Sequence, residues 1–167
     1  MHSEIGIDID APAELVFSLA RDVERWSAIL PHYVRSRAID RDARDRPVVE
    51  FVARRPIVSV LGLGLPVAWR SRTWDEPELR RLRFVHVAGA TRGMDVTWRI
   101  TDRADGGGCH VAISHEFAPR VPGFARFVDR LFTRPIAGRT LATFKALAEA
   151  LAVTERSGRP VTPNQMA

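Results

Sequence analysis

A change of hydrophobic period constrains this chain more than any other feature. Residues up to about 117 alternate apolar and polar in short runs, whereas the last third repeats at helical spacing. The chain opens on an alternating strand at about residues 4–10 (Ile5, Ile7, Ile9) and passes through Asp10-Ala11-Pro12 into two small helices. Asp10 is placed to cap the first, with Pro12 in its opening turn and Leu15, Val16 and Leu19 as its buried stripe. Asp22 starts the second, Trp26, Ile29 and Leu30 face inward, and Pro31 ends it.

Strands are then expected at about 33–40, 48–54, 67–75, 80–87, 93–102 and 109–117, with Asp105-Gly106-Gly107-Gly108 as a hairpin turn. Short links make neighbours antiparallel. Beyond them Phe124, Phe127, Val128, Leu131 and Phe132 share one helical face, and Ala137, Leu141, Phe144, Ala148 and Leu151 form a second stripe. Pro135 is expected to kink or divide this helix. The part from 135 to 152 would be about 27 Å long, close to the length of a nine-residue strand, so one helix can cover one sheet face. The expected fold is α+β: a curved antiparallel sheet of six to seven strands around a long C-terminal helix, with two short helices after the first strand. Such a shape leaves a hollow. One domain is expected over 1–154, with a loose, flexible tail over 155–167 containing Gly158, Pro160 and Pro163.

Composition narrows the function classes. The 167 residues suffice for one domain with a real core. No apolar run approaches the roughly 20 residues that span a bilayer, and Met-His-Ser-Glu is no leader, so a cytoplasmic protein is expected. The single cysteine, Cys109, forms no internal disulfide or cysteine-based zinc cluster. His110 and His115 lie on opposite faces of one strand, so no metal is expected. A net charge of +5 raises the question of nucleic acid, but the arginines read as scattered among acids, as in Arg41 to Arg46, without a basic block carrying interleaved aromatics. No nucleic acid partner and no cofactor are expected.

Strand parity sorts the side chains by face. Met94, Val96, Trp98, Ile100, Val111, Ile113, His115 and Phe117 face the helix, as do Val67, Trp69, Ser71 and Thr73. Leu82, Phe84 and His86 join them, leaving Trp74 outside. An inner face holding Trp69, Ser71, Thr73, His86, Trp98 and His115 is too polar for a plain core, because an unpaired buried hydroxyl or imidazole costs about 1–3 kcal/mol. Either these groups bond one another or they line a pocket.

The block from Ile5 to Tyr33, with Ala11-Pro12, Val16-Phe17, Val23 to Trp26 and Pro31-His32-Tyr33, resembles the polyketide cyclase/dehydrase branch of the START-like, helix-grip superfamily. Trp69-Arg70-Ser71, Gly93 to Trp98 and Ile136 to Leu141 fit the same pattern, so the resemblance covers about residues 3–152. It implies a sheet gripping a helix around an apolar cavity, with Tyr33, Trp69, Ser71, Met94 and Trp98 at pocket positions. It also implies an arginine two residues after the serine, where this chain carries Thr73.

Two functions follow as expectations. In the first, a cofactor-free cyclase/dehydratase holds a polyketide-like or aromatic molecule. His115, Tyr33 and Ser71 act as catalytic groups, and Trp69, Thr73, Phe84, His86, Met94, Trp98 and Phe144 contact the ligand. In the second, the protein carries a quinone or lipid without catalysis. The apolar stretch from Pro56 to Pro66 is expected to be a strand extension with a buried loop, or a flap that touches a membrane or a protein. A monomer and a homodimer both remain open.

Overall fold

The computed structural model describes residues 1–58, 63–121 and 123–157; side chains are described outside 55–65 and 156–157. Seven strands form one antiparallel sheet in the order β1-β7-β6-β5-β4-β3-β2. They are β1 (His2–Ile9), β2 (Tyr33–Arg41), β3 (Pro47–Val58), β4 (Leu63–Glu76), β5 (Arg81–Ala88), β6 (Asp95–Asp102) and β7 (Cys109–Glu116). From β2 onward the chain meanders, and β7 pairs with β1. The two small helices therefore carry the chain from one edge of the sheet to the other.

Their ends differ from the sequence expectation. Helix α1 (Ala13–Arg21) starts from Pro12 without a side-chain cap, because the Asp10 carboxylate accepts a 2.7 Å bond from Arg103 instead. Asp22 leads into a 3-10 turn (Val23–Arg25) and only then into α2 (Trp26–Ile29).

The C-terminal helix is not divided at Pro135. Helix α3 (Phe124–Val128) runs through a π-helical turn (Asp129–Thr133) straight into α4 (Arg134–Ser157). Proline lacks the N–H for the carbonyl four residues back and crowds that carbonyl with its ring. Widening the preceding turn relieves the crowding, and the helical run continues unbroken. At about 1.5 Å per residue the 24 residues of α4 span about 36 Å, enough to cover the sheet. Because α4 reaches Ser157, only 158–167 of the expected tail lies outside the described residues. Of the Pro56–Pro66 stretch, β3 continues to Val58 and β4 resumes at Leu63; the expected loop or flap at 59–62 lies outside the described residues.

Antiparallel register lines the inner face up in rows. Thr73 pairs with Phe84, Phe84 with Val96, Val96 with His115 and His115 with Ser3. A neighbouring row sets Val49 against Ser71 and Ser71 against His86. Leu141, Phe144, Ala148 and Ala152 from α4 close over the sheet, and Val16, Phe17 and Ala20 from α1 fill one end. Trp74 is outside as expected, with Arg46 over its ring at 4.7 Å.

Candidate functional site

Between the sheet and the helix lies a cavity of about 90 Å³. Its walls are aromatic: Trp26, Tyr33, Phe51, Trp69, Phe84, Trp98 and Phe132 all border it. Its polar groups are His86, Thr91, His115, Thr133 and Thr140. A hollow of roughly 150 Å³ lined by apolar groups holds a benzene, so this one is scaled for a single small ring.

Trp26 is the hub of the walls. Its ring lies 5.3–5.9 Å from those of Tyr33, Phe51, Phe84, Trp98 and Phe144, and its indole N–H donates to the Ala20 carbonyl at 3.0 Å. The sequence marks Trp26 as inward-facing but gives no sign of this central role, because five separate elements deliver its neighbours. On the other wall Phe51 stacks on Trp69 at 5.4 Å and Trp69 stacks on His86 at 6.0 Å.

Both inward histidines border the cavity. Burial holds the His115 pKa down to about 4, against the opposing pull of Asp129 and of the Ser3 backbone. Its Nδ1 is buried without a hydrogen bond of ordinary geometry. His86 is likewise pushed well below its usual value, first by burial and then by the nearness of His115. Its Nδ1 lies 2.6 Å from the Thr91 hydroxyl on the β5–β6 hairpin. That hairpin folds against Trp69 only because Gly89 has φ +95° and no side chain; a Cβ there would sit 2.8 Å from the Ala68 carbonyl. At neutral pH both imidazoles are uncharged and able to accept a proton.

Tyr33 borders the cavity and is 6% exposed, with burial holding its phenol protonated far above the usual range. It is a donor, never a phenolate, at physiological pH. Beside it His32 Nε2 lies 2.9 Å from the Thr140 hydroxyl. That hydroxyl spends its one proton on the Ile136 carbonyl at 2.8 Å. His32 must therefore donate through Nε2, which leaves its buried Nδ1 as an unused lone pair. Burial and Arg139 lower the His32 pKa to about 4.

Three expected site residues are not brought to this cavity. Ser71 is fully buried behind the wall, its hydroxyl without a partner. Phe144 backs Trp98 at 5.6 Å. Thr73 borders a second hollow of about 390 Å³ instead, together with Arg21, Asp22, Glu24, Arg46, Trp74 and Asp75. Phe84 is the ring both hollows share. Among the residues unmarked in the sequence is Asp129, whose charge reaches His115. One of its oxygens accepts from Arg134 at 2.9 Å and the other is buried without a partner. The sorting by strand parity covers the sheet alone, so a carboxylate supplied by a π-turn gives no such signal. Among the described residues no three His, Cys, Asp or Glu side chains gather as metal ligands.

A curved sheet gripping a long helix, with a ring-lined hollow between them, defines the helix-grip class of small START-like domains. Solved structures of that fold overlay well. The Zhui aromatase/cyclase from Streptomyces sp. R1128 matches with a TM-score of 0.69 and 20% identity over 89% of this chain and 93% of its own. A START superfamily protein from Mycobacterium smegmatis matches with a TM-score of 0.61 and 16% identity, over 92% and 98%. The di-domain aromatase/cyclase BexL from the BE-7585A biosynthetic pathway matches at 0.65 and 23%; 95% of this chain covers 48% of it. This chain thus spans about half of that protein. The family model described as polyketide cyclase/dehydrase and lipid transport matches residues 9–144, and the chain belongs to that family.

Proposed function

We propose that the protein takes a short polyketide-like chain, of the size that closes to a single ring, into the aromatic cavity and promotes its aldol closure and dehydration without a cofactor. The observation that carries this reading is the pairing of two neutral imidazoles with one permanent phenol donor around a hollow whose walls are mostly aromatic. In such a step neutral His115 takes a proton from the carbon between two carbonyls. The carbanion forms the carbon–carbon bond to a further carbonyl, whose oxygen accepts a hydrogen bond from the Tyr33 phenol and takes back the proton held on His115. Neutral His115 then removes the remaining proton from the same carbon and passes it to the leaving hydroxyl, so that water departs and the carbon–carbon double bond forms. Trp26, Trp69, Met94 and Trp98 fold the chain and exclude water. Ser71 acts at one remove here, from behind the wall beside His86.

A synthetic linear triketone tests this reading. His115→Ala should cut cyclisation at least a hundredfold while changing triketone binding less than threefold. Equal loss of both would count against a catalytic imidazole. A second reading, a non-catalytic carrier of a quinone or lipid, draws support from Thr73. It stands where the cyclases carry arginine, and among the described residues no charged side chain lines the aromatic cavity. Mass spectrometry of an organic extract of the purified protein separates the two: a stoichiometric lipid or quinone favours the carrier.

A further inference from the structure

The segment that roofs the cavity has a second, outward face. Between Phe117 and Thr140 the chain carries five arginines, Arg120, Arg126, Arg130, Arg134 and Arg139, against one carboxylate, Asp129. All five arginines are exposed, and among the described residues only Arg134 has an ion-pair partner, Asp129. The whole protein has a net charge of +5, so most of its excess is concentrated on this one strip. The reading of the arginines as scattered among acids fails here, because between Phe117 and Thr140 five arginines meet a single carboxylate.

Aromatic groups interleave with the charges. Val121 is 63% exposed and Phe127 is 53% exposed. Phe127 stacks on Phe124 at 6.3 Å and meets Phe132 edge-on at 6.1 Å. Phe132 in turn borders the cavity. A run of phenyl rings therefore leads from the surface to the cavity, on a segment that also carries the exposed arginines.

We infer that this strip, made of the bend at Arg120 and Val121 and the helical turns from Phe124, docks on an anionic lipid bilayer, with Phe127 and Val121 entering the acyl boundary and Arg120, Arg126 and Arg130 lying among the headgroups. Exposed apolar side chains beside a cationic face are what an interfacial helix needs, and negative headgroups supply the complementary charge. Nucleic acid would satisfy the arginines but gives no reason for rings that continue inward to an apolar hollow. Docking brings Phe132, which borders the cavity, toward the phase in which an apolar ligand dissolves. This surface is separate from the Pro56–Pro66 stretch. The inference requires only that the cavity open beneath the strip, not that catalysis occurs within it.

Co-sedimentation with vesicles tests it on the intact protein. Vesicles of one part phosphatidylglycerol to three parts phosphatidylcholine should bind at least tenfold more protein than pure phosphatidylcholine at low salt. Replacing Arg126 and Arg130 together by Gln should weaken anionic-vesicle partitioning by about thirtyfold, at roughly fivefold per arginine. Phe127→Asp should abolish it, with the circular dichroism spectrum of both variants unchanged. Resorcinol binding in vesicle-free buffer should stay within twofold in the arginine variant, which separates failure of docking from failure of the cavity. Equal binding to both vesicle types, or no binding to either, would overturn the proposal. So would tighter retention by duplex DNA than by anionic vesicles at equal phosphate.

Discussion

The two hollows on either side of Phe84 are made of opposite materials. The smaller is walled by rings, and its two imidazoles are neutral because burial disfavours their charged form. The larger, about 390 Å³, is rimmed by Arg21, Asp22, Glu24, Asp45, Arg46 and Asp75, with Arg21 and Asp75 paired at 2.8 Å. Near it, bonds from Arg46 hold the Asp42 carboxyl well below the carboxylate range. Charged groups keep their water, whereas stacked rings exclude it. Size alone therefore does not locate a site: the smaller hollow is the aromatic one, and of the two only it is bordered by imidazoles.

The largest effect should come from removing the shared wall. Phe84→Ala deletes a ring packed on Trp26 and Phe51 and should lower stability by about 3–5 kcal/mol in urea unfolding. A loss below about 1 kcal/mol would mean that the ring does not separate the hollows. Acid should next distinguish the two regions. His32 and His115 have folded pKa values near 4 against 6.5 when free, so the unfolded chain binds the extra protons between those values. Stability should be full above about pH 6.5 and fall as the pH drops toward 4, by up to about 3 kcal/mol for each histidine. His115→Gln should flatten that slope by its share, while the arginine–carboxylate rim holds until the carboxylates themselves protonate.

Thr140→Val should cost about 1–3 kcal/mol, because His32 Nε2 would lose its acceptor inside the fold. The smallest change should be Thr73→Val. That hydroxyl makes no side-chain hydrogen bond among the described residues and borders the charged hollow, so stability should move by less than about 0.5 kcal/mol. Binding of a small ring in the aromatic cavity should not respond. A response to Thr73→Val would show that the two hollows act as one.

The seven strands and the closing helix were legible because period-2 and period-3.6 patterns follow directly from backbone geometry. Parity also placed His86, His115, Trp69 and Trp98 on the inner face, and there the structure brings them together at one cavity. It could not divide that face in two. Thr73 and Ser71 share the parity of Trp69, yet one borders the charged hollow and the other lies behind the wall, because the plug formed by Trp26 and Phe84 is a matter of packing between distant elements. Asp129 and the strip of arginines escaped for a related reason. The π-turn before Pro135 rotates the helix faces, and no helical wheel drawn with a constant period registers that rotation.

The tryptophans give the most direct test of the claim that the aromatic hollow is the ligand site. Three of the four indoles, those of Trp26, Trp69 and Trp98, border it, and Trp74 borders the charged one. In a nitrogen-15 NMR titration with resorcinol, the three cavity indole N–H signals should shift together and saturate while that of Trp74 stays in place. Movement of Trp74 with the other three still, or of none of the four, would contradict the account.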